Sequence, residues 1–178
     1  HAATMVNAGV YLLARFFPAF QGVPGWSTAV VIVGLLSALL AGCMALVAVD
    51  LKRALAYSTV SQLGYMVYAV GAGGVFASQF HLMSHSLFKA LLFLAAGAVI
   101  HAAQTRDMRK MGGLAPHIKK TWILMVIGNL ALTGFPLTAG YYSKDFVLEA
   151  AFAAHSTVGM YAFGAGIIAA FLTAFYSW

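Results

Sequence analysis

Charge is scarce in this sequence of 178 residues. Only 8% of them are charged, against about 25% in a typical soluble domain. Acid is scarcest: four Asp and Glu stand against ten Lys and Arg, for a formal net charge of +6. A chain so poor in charge is neither a soluble globular domain nor a disordered one. Cysteine is nearly absent as well. The single Cys43 excludes an intrachain disulfide scaffold and cannot hold an iron–sulfur cluster. The Lys and Arg residues form no basic cluster interleaved with polar surface, so the positive excess does not indicate nucleic-acid binding.

What remains is apolar. Hydrophobic residues make up 62% of the chain and the mean hydropathy is +0.89, which points to a polytopic membrane protein. Cys43, inside the run Leu39-Leu40-Ala41-Gly42-Cys43-Met44, is expected to be a small buried hydrophobe. The sequence starts at His1 without a charged n-region, so no signal peptide is visible, and it ends within an apolar run. Both features suggest a piece of something longer.

Charges punctuate the apolar runs. None occurs between Arg15 and Asp50, between Arg53 and Lys89, or after Glu149. A spanning helix needs about 20 mainly apolar residues, and the gaps divide into six segments: one ending near Phe17, then 28–49, 55–73, 79–102, 121–150 and 156–178. The runs are continuous rather than alternating, so helices and not a β-barrel satisfy the backbone in lipid. The expected fold class is all-α, a polytopic membrane helix bundle. If the first helix ends on side X, loops 15–27, 73–78 and 151–155 share that side and carry one basic residue, Arg15. Loops 50–54 and 103–120 share side Y and carry Lys52, Arg53, Arg106, Arg109, Lys110, Lys119 and Lys120. The positive-inside rule makes Y the cytoplasmic side.

The fifth segment is too long. Thirty helical residues would run roughly 45 Å, against a hydrocarbon core of about 30 Å. It also contains Thr133-Gly134-Phe135-Pro136-Leu137-Thr138-Ala139-Gly140, where Pro136 removes an amide donor and clashes with the preceding turn. A discontinuous helix is expected, with Lys144 on its second half. A plain proline kink or a helical hairpin is the alternative. Broken backbone at membrane depth is tolerated inside protein or beside water, and in transporters it often marks the transport site.

Lys89 lies about ten residues into the fourth segment, near the midplane, where a lysine costs about 2.5–3.5 kcal/mol. Desolvation disfavours its ammonium form, so such a lysine can accept and release a proton. The alternative is a structural pair with a carboxylate on another helix. His81, His85 and Lys89 follow an i, i+4, i+8 spacing, which makes a ladder about 12 Å long on one helix face. Imidazole carries protons through either nitrogen. The same trio is a poor metal site, since neither Cys nor carboxylate shares the face. Lys144 is a second candidate proton site, with Asp145 to tune or pair with it. Glu149 reads as structural or as an exit group. His1 opens the first helix and can be buried there, whereas His101, His117 and His155 read as solvated interfacial residues. Asp50 sits in a charged turn and can also pair with a basic residue of a neighbouring helix.

Three stretches carry a resemblance. Asp50-Leu51-Lys52-Arg53 with Leu55-Ala56-Tyr57-Ser58-Thr59-Val60-Ser61-Gln62-Leu63-Gly64-Tyr65-Met66, then Phe80-His81-Leu82-Met83-Ser84-His85-Ser86-Leu87-Phe88-Lys89-Ala90-Leu91-Leu92-Phe93-Leu94, and Pro136-Leu137-Thr138-Ala139-Gly140-Tyr141-Tyr142-Ser143-Lys144-Asp145 resemble the antiporter-like membrane subunits of respiratory complex I (NADH:quinone oxidoreductase), the L type above all. Lys144 departs from the M-type paralogue, which typically has Glu there. Related subunits of sodium/proton antiporters and of membrane hydrogenases are the closest rivals.

The resemblance implies two inverted five-helix repeats, each with one broken helix. Residues 1–17 would be the last helix of the first repeat and 28–178 the second repeat. The Glu and Lys of the first half-channel and a long lateral C-terminal helix would lie outside this sequence. His1 matches the position linking the half-channels. His81, His85 and Lys89 match the central hydrophilic axis, and Lys144 with Asp145 the exit site.

The implied function is proton translocation in a bacterial inner membrane or its mitochondrial equivalent. Protons would arrive at His1, pass along internal water to Lys89, His85 and His81, and leave through Lys144. The implied partners are other membrane subunits, the lipid bilayer, protons and water, with no nucleic acid. NADH, FMN, iron–sulfur clusters and quinone would belong to other subunits, with no cofactor in this chain, which has neither a Gly-rich dinucleotide motif nor a cysteine cluster. Competing readings are a purely structural membrane anchor, a quinone site using His81 or His85, and sodium transport, which lysines at both central positions disfavour.

Overall fold

The computed structural model describes residues 5–178, so His1 lies outside the described residues. Those residues form seven α-helices and no strand: α1 (Asn7–Phe20), α2 (Trp26–Leu46), α3 (Leu51–Gly71), α4 (Val75–Ala103), α5 (Lys119–Thr133), α6 (Ala139–Ala153) and α7 (Thr157–Ser177). The six expected segments are all present, and the fifth is the discontinuous one. Three helices, α2, α4 and α7, are long and apolar enough to cross a membrane. The equally long α3 is more polar, because it buries Ser58, Thr59, Ser61 and Gln62. The halves α5 and α6 have 15 residues each, about 22 Å at 1.5 Å per residue, so neither spans alone.

Loop contacts fix two ends. At one end the backbone of the α2–α3 turn pairs with the loop after α4, through Leu51 N–H to Arg106 O at 3.1 Å and Met108 N–H to Val49 O at 3.0 Å. This end holds the basic loops. At the other end Ser27, Gly71, Ala72, Ala154 and Ser156 line one cavity. The helices therefore run up and down in sequence, and α6 continues the direction of α5 rather than folding back as a hairpin. Asp50 caps α3 by accepting from Arg53 N–H at 2.9 Å. It makes no ion pair with a neighbouring helix; among the described residues the ion pair is Arg109–Asp107 at 2.9 Å.

Polarity runs inside out relative to a soluble protein. Leu36, Leu40, Leu94, Phe171 and Phe175 are exposed, whereas Gln62, His81, His85, Lys89, Ser143 and Thr173 are each 0% exposed. With no hydrophobic drive between helices in lipid, small residues let backbones approach. A Cβ on Gly34 would stand 2.5 Å from Tyr68 N, and one on Gly64 2.5 Å from Ala38 N. That contact seats α3, and with it the polar residues of the interior. Cys43 differs from expectation: it is exposed, on the outer face of α2 beside Leu40 and Met44, which a helix surrounded by lipid leaves apolar as readily as its inner face.

Candidate functional site

The site is built where α4 meets α3, α6 and the break between α5 and α6. Helical spacing turns His81, Ser84, His85 and Lys89 to the interior of α4, and all four are buried. Lys89 is the central residue of the 29-residue α4. Its Nζ donates to Ser58 Oγ at 2.6 Å and, at 3.4 Å, to the Leu55 carbonyl of α3. That carbonyl already accepts Thr59 Oγ1 at 2.9 Å, so the serine hydroxyl is the amine's principal partner.

Lys144 is held differently. α5 ends at Gly134, whose φ of +82° is the left-handed cap that glycine adopts without a Cβ clash. The amides of Gly134 and Phe135 both turn back to the Leu130 carbonyl. The last carbonyls of a helix lack helical partners and carry its partial negative charge. Lys144 Nζ donates to one of them, Leu132 O, at 2.5 Å. Gly140 makes this possible, since a Cβ there would collide with the Ala131 carbonyl oxygen. The break therefore gives a buried amine a carbonyl that makes no helical bond of its own, unlike the shared Leu55 carbonyl at Lys89.

Hydroxyls and an amide lead from Lys89 to Ser143, the residue before Lys144. Ser58 Oγ and Tyr176 OH lie 2.8 Å apart, and Tyr176 OH donates to Thr173 Oγ1 at 3.4 Å. Gln62 Nε2 donates to Thr173 Oγ1 at 3.2 Å, and Gln62 Oε1 is 3.0 Å from His81 Nε2. On its other side His81 Nδ1 is 2.8 Å from Ser143 Oγ, the residue before Lys144, which also accepts from Ser84 Oγ at 2.9 Å. His85 lies between, its ring centroid 6.0 Å from that of His81. Neither of its ring nitrogens meets a hydrogen-bonding partner among the described residues.

Thus His81, His85, Lys89 and Lys144 are brought into one buried system. Asp145 is not part of it. It is exposed on α6 and pairs with no cation among the described residues, because neighbours in a helix point about 100° apart. Glu149 shares that exposed face. His101, His117 and His155 are exposed. Thr173 and Tyr176 escaped the sequence reading, and Gln62 and Ser143 entered it only within motifs. The spacing of Thr173 and Tyr176 at i, i+3 in an otherwise apolar run was the available signal.

Residues 2–173 match the profile of the NADH:quinone oxidoreductase/Mrp antiporter transmembrane family, and the chain belongs to that family. It is similar to NADH-ubiquinone oxidoreductase chain 5 of Marchantia polymorpha, 48% identical over 99% of this chain and 27% of the relative. With the chain 5 of Metridium senile it shares 52% identity over 99% of this chain and 29% of that one. Among solved structures it resembles a chain of the Mrp complex from Dietzia sp. DQ12-45-1b with a TM-score of 0.92 and 35% identity, over 99% of this chain and 20% of that one. A chain of the membrane-bound sulfane sulfur reductase, an archaeal respiratory membrane complex, gives a TM-score of 0.89 at 28% identity, over 98% and 37%. The chain thus spans less than a third of the length of these two chain 5 relatives.

Proposed function

We propose that the chain is part of an antiporter-like subunit of the L or chain 5 type, and that it moves protons across the membrane within an NADH:quinone oxidoreductase. Residues 1–17 end its first repeat and 28–178 form its second. Other membrane subunits surround it, and NADH, FMN, iron–sulfur clusters and quinone act in other subunits. The end bearing the basic loops faces the cytoplasm or matrix.

One observation carries the reading. Lys89 and Lys144 are buried, and neither is paired with a carboxylate among the described residues. A structural ion pair, the bland role for a membrane lysine, is therefore not what holds them. Each amine donates to neutral oxygens, which accept an ammonium proton without neutralising its charge. A proton on one site consequently raises the cost of a proton on the next, through a Coulomb term that low dielectric strengthens. Protons from His1 reach Lys89, cross the region of His85 along mobile water, and leave by Ser143 and Lys144. The like-charged amines also oppose a sodium ion, whose ligands would be carboxylates and carbonyls.

The test is Lys144→Ala in the assembled complex, in sealed inverted vesicles. Protons moved per NADH oxidised should fall sharply. An unchanged ratio would contradict the role of Lys144.

A further inference from the structure

A chain of single-proton constraints runs inward from a helix carbonyl of α7. Thr173 has one hydroxyl proton, and it goes to the Ala169 carbonyl at 2.8 Å. Its oxygen can then only accept from Gln62, so the amide presents Nε2–H to Thr173 at 3.2 Å. This turns Oε1 towards His81 Nε2 at 3.0 Å. An amide oxygen has no proton to give, so Nε2 of the neutral imidazole must carry the hydrogen. Nδ1 is left with its lone pair towards Ser143 Oγ at 2.8 Å, and Ser143 donates. Gln62, His81, Ser143 and Thr173 are all 0% exposed, so no bulk solvent relaxes the arrangement.

We infer that Gln62, itself fixed by Thr173, is a positioning residue that locks His81 in the Nε2–H tautomer, so that Nδ1 on the Ser143 side is the only nitrogen that takes and returns a proton. The inference deepens the relay proposed above and rests on it for its functional meaning. The proton balance is simple. A proton from the internal water of the proposed relay adds to the Ser143 oxygen as that hydroxyl's own proton leaves it to form the N–H bond at Nδ1. Ser143 thus stays neutral and turns from donor to acceptor towards His81, and the imidazolium keeps its Nε2–H bond to Gln62. On return the Nδ1–H bond breaks and the original tautomer is restored. His81 thus serves as a store beside Lys144 rather than as a rung passing protons from one ring nitrogen to the other. Passage from Lys89 falls to His85, whose nitrogens are not committed among the described residues. The titratable groups around His81 are Tyr65 of α3, His85 of α4 and Lys144 of α6, while Lys89 bears on His85.

The experiment uses the whole complex, labelled with 13C,15N-histidine, with the His81 resonance assigned by its loss in His81→Gln. Solid-state NMR should find His81 as the Nε2–H tautomer in the resting complex. Thr173→Val, which frees the amide to rotate, and Gln62→Leu, which removes it, should each shift His81 partly or wholly to the Nδ1–H form, while Thr173→Ser should restore the native signature. A resting Nδ1–H tautomer, or a native signature in both Thr173→Val and Gln62→Leu, would overturn the lock. The tautomer is read without pumping. A normal proton-to-electron ratio in Lys144→Ala alongside a locked His81 would therefore strike down the relay and leave the lock standing.

Discussion

The two buried lysines solve one problem by different means. Lys89 projects from an unbroken helix onto another unbroken helix, where it reaches the Leu55 carbonyl only at 3.4 Å and shares it with Thr59, and so depends mainly on a side chain, Ser58, at 2.6 Å. Lys144 sits beside a helix end and uses a backbone carbonyl, Leu132 O, at 2.5 Å. A side-chain partner can rotate and pass its hydrogen on to Tyr176. A carbonyl partner can only accept. In the relay proposed above, the contrast would put the mobile partner at the Lys89 end and a fixed, dipole-stabilised cation position at the Lys144 end.

Closing the space at the break should have the largest effect. Gly140→Ala drives a methyl group into the Ala131 carbonyl and should cost about 3 kcal/mol or more, the upper end for overpacking. Lower yield of assembled complex on native gels would record it, while Ser84→Ala, which removes a hydroxyl from the facing surface of α4 without adding bulk, should assemble normally.

Ser58→Ala comes next, because it strips Lys89 of its principal partner and leaves Lys144 untouched. Hydrogen bonds to charged groups are worth about 1.5–3 kcal/mol. The proton-to-electron ratio should fall in Ser58→Ala and recover in Ser58→Thr. Equal ratios in the three proteins would remove the distinction between the two lysines.

Gly134→Ala tests the cap that frees the Leu132 carbonyl. A Cβ finds room there, so the penalty is the left-handed φ alone, about 1–2 kcal/mol, seen as a modest drop in the melting temperature of the complex.

The smallest effect is expected in the basic loop. A side-chain hydrogen bond from Arg109 holds the Asp107 carboxyl below its usual range. A lowered folded-state value means that its contribution is present above the ordinary carboxylate range and is lost as pH falls through the lowered one. For so exposed a pair the change is small. Amide protection factors at residues 104–110, corrected for the intrinsic rate at each pH, should fall slightly under acid, and Asp107→Asn should abolish that dependence.

Much of the bundle was legible because lipid imposes a simple grammar. Charge gaps gave the spans, and Gly134 with Pro136 marked the break. The ladder His81, His85, Lys89 was legible from spacing alone. What the sequence concealed were the partners. Leu132 O is a backbone atom that any residue would supply, and Tyr176 approaches Ser58 only because α7 passes α3. Where Asp145 points was hidden for a related reason: it adjoins Lys144 in sequence and could tune or pair with it, but successive residues of a helix face different ways, and Asp145 is exposed. Cys43 likewise showed that an apolar run in a membrane helix does not say which face is covered by protein.

The central claim is that Lys89 and Lys144 gain and lose protons during turnover. Infrared difference spectroscopy of the intact complex labelled with 15N-lysine tests it most directly, comparing resting and NADH-driven states of the wild type, Lys89→Met and Lys144→Ala. The account predicts isotope-sensitive ammonium bands that change with turnover, part of which disappears in each variant. Lysine bands that stay constant through turnover in the wild type would contradict it.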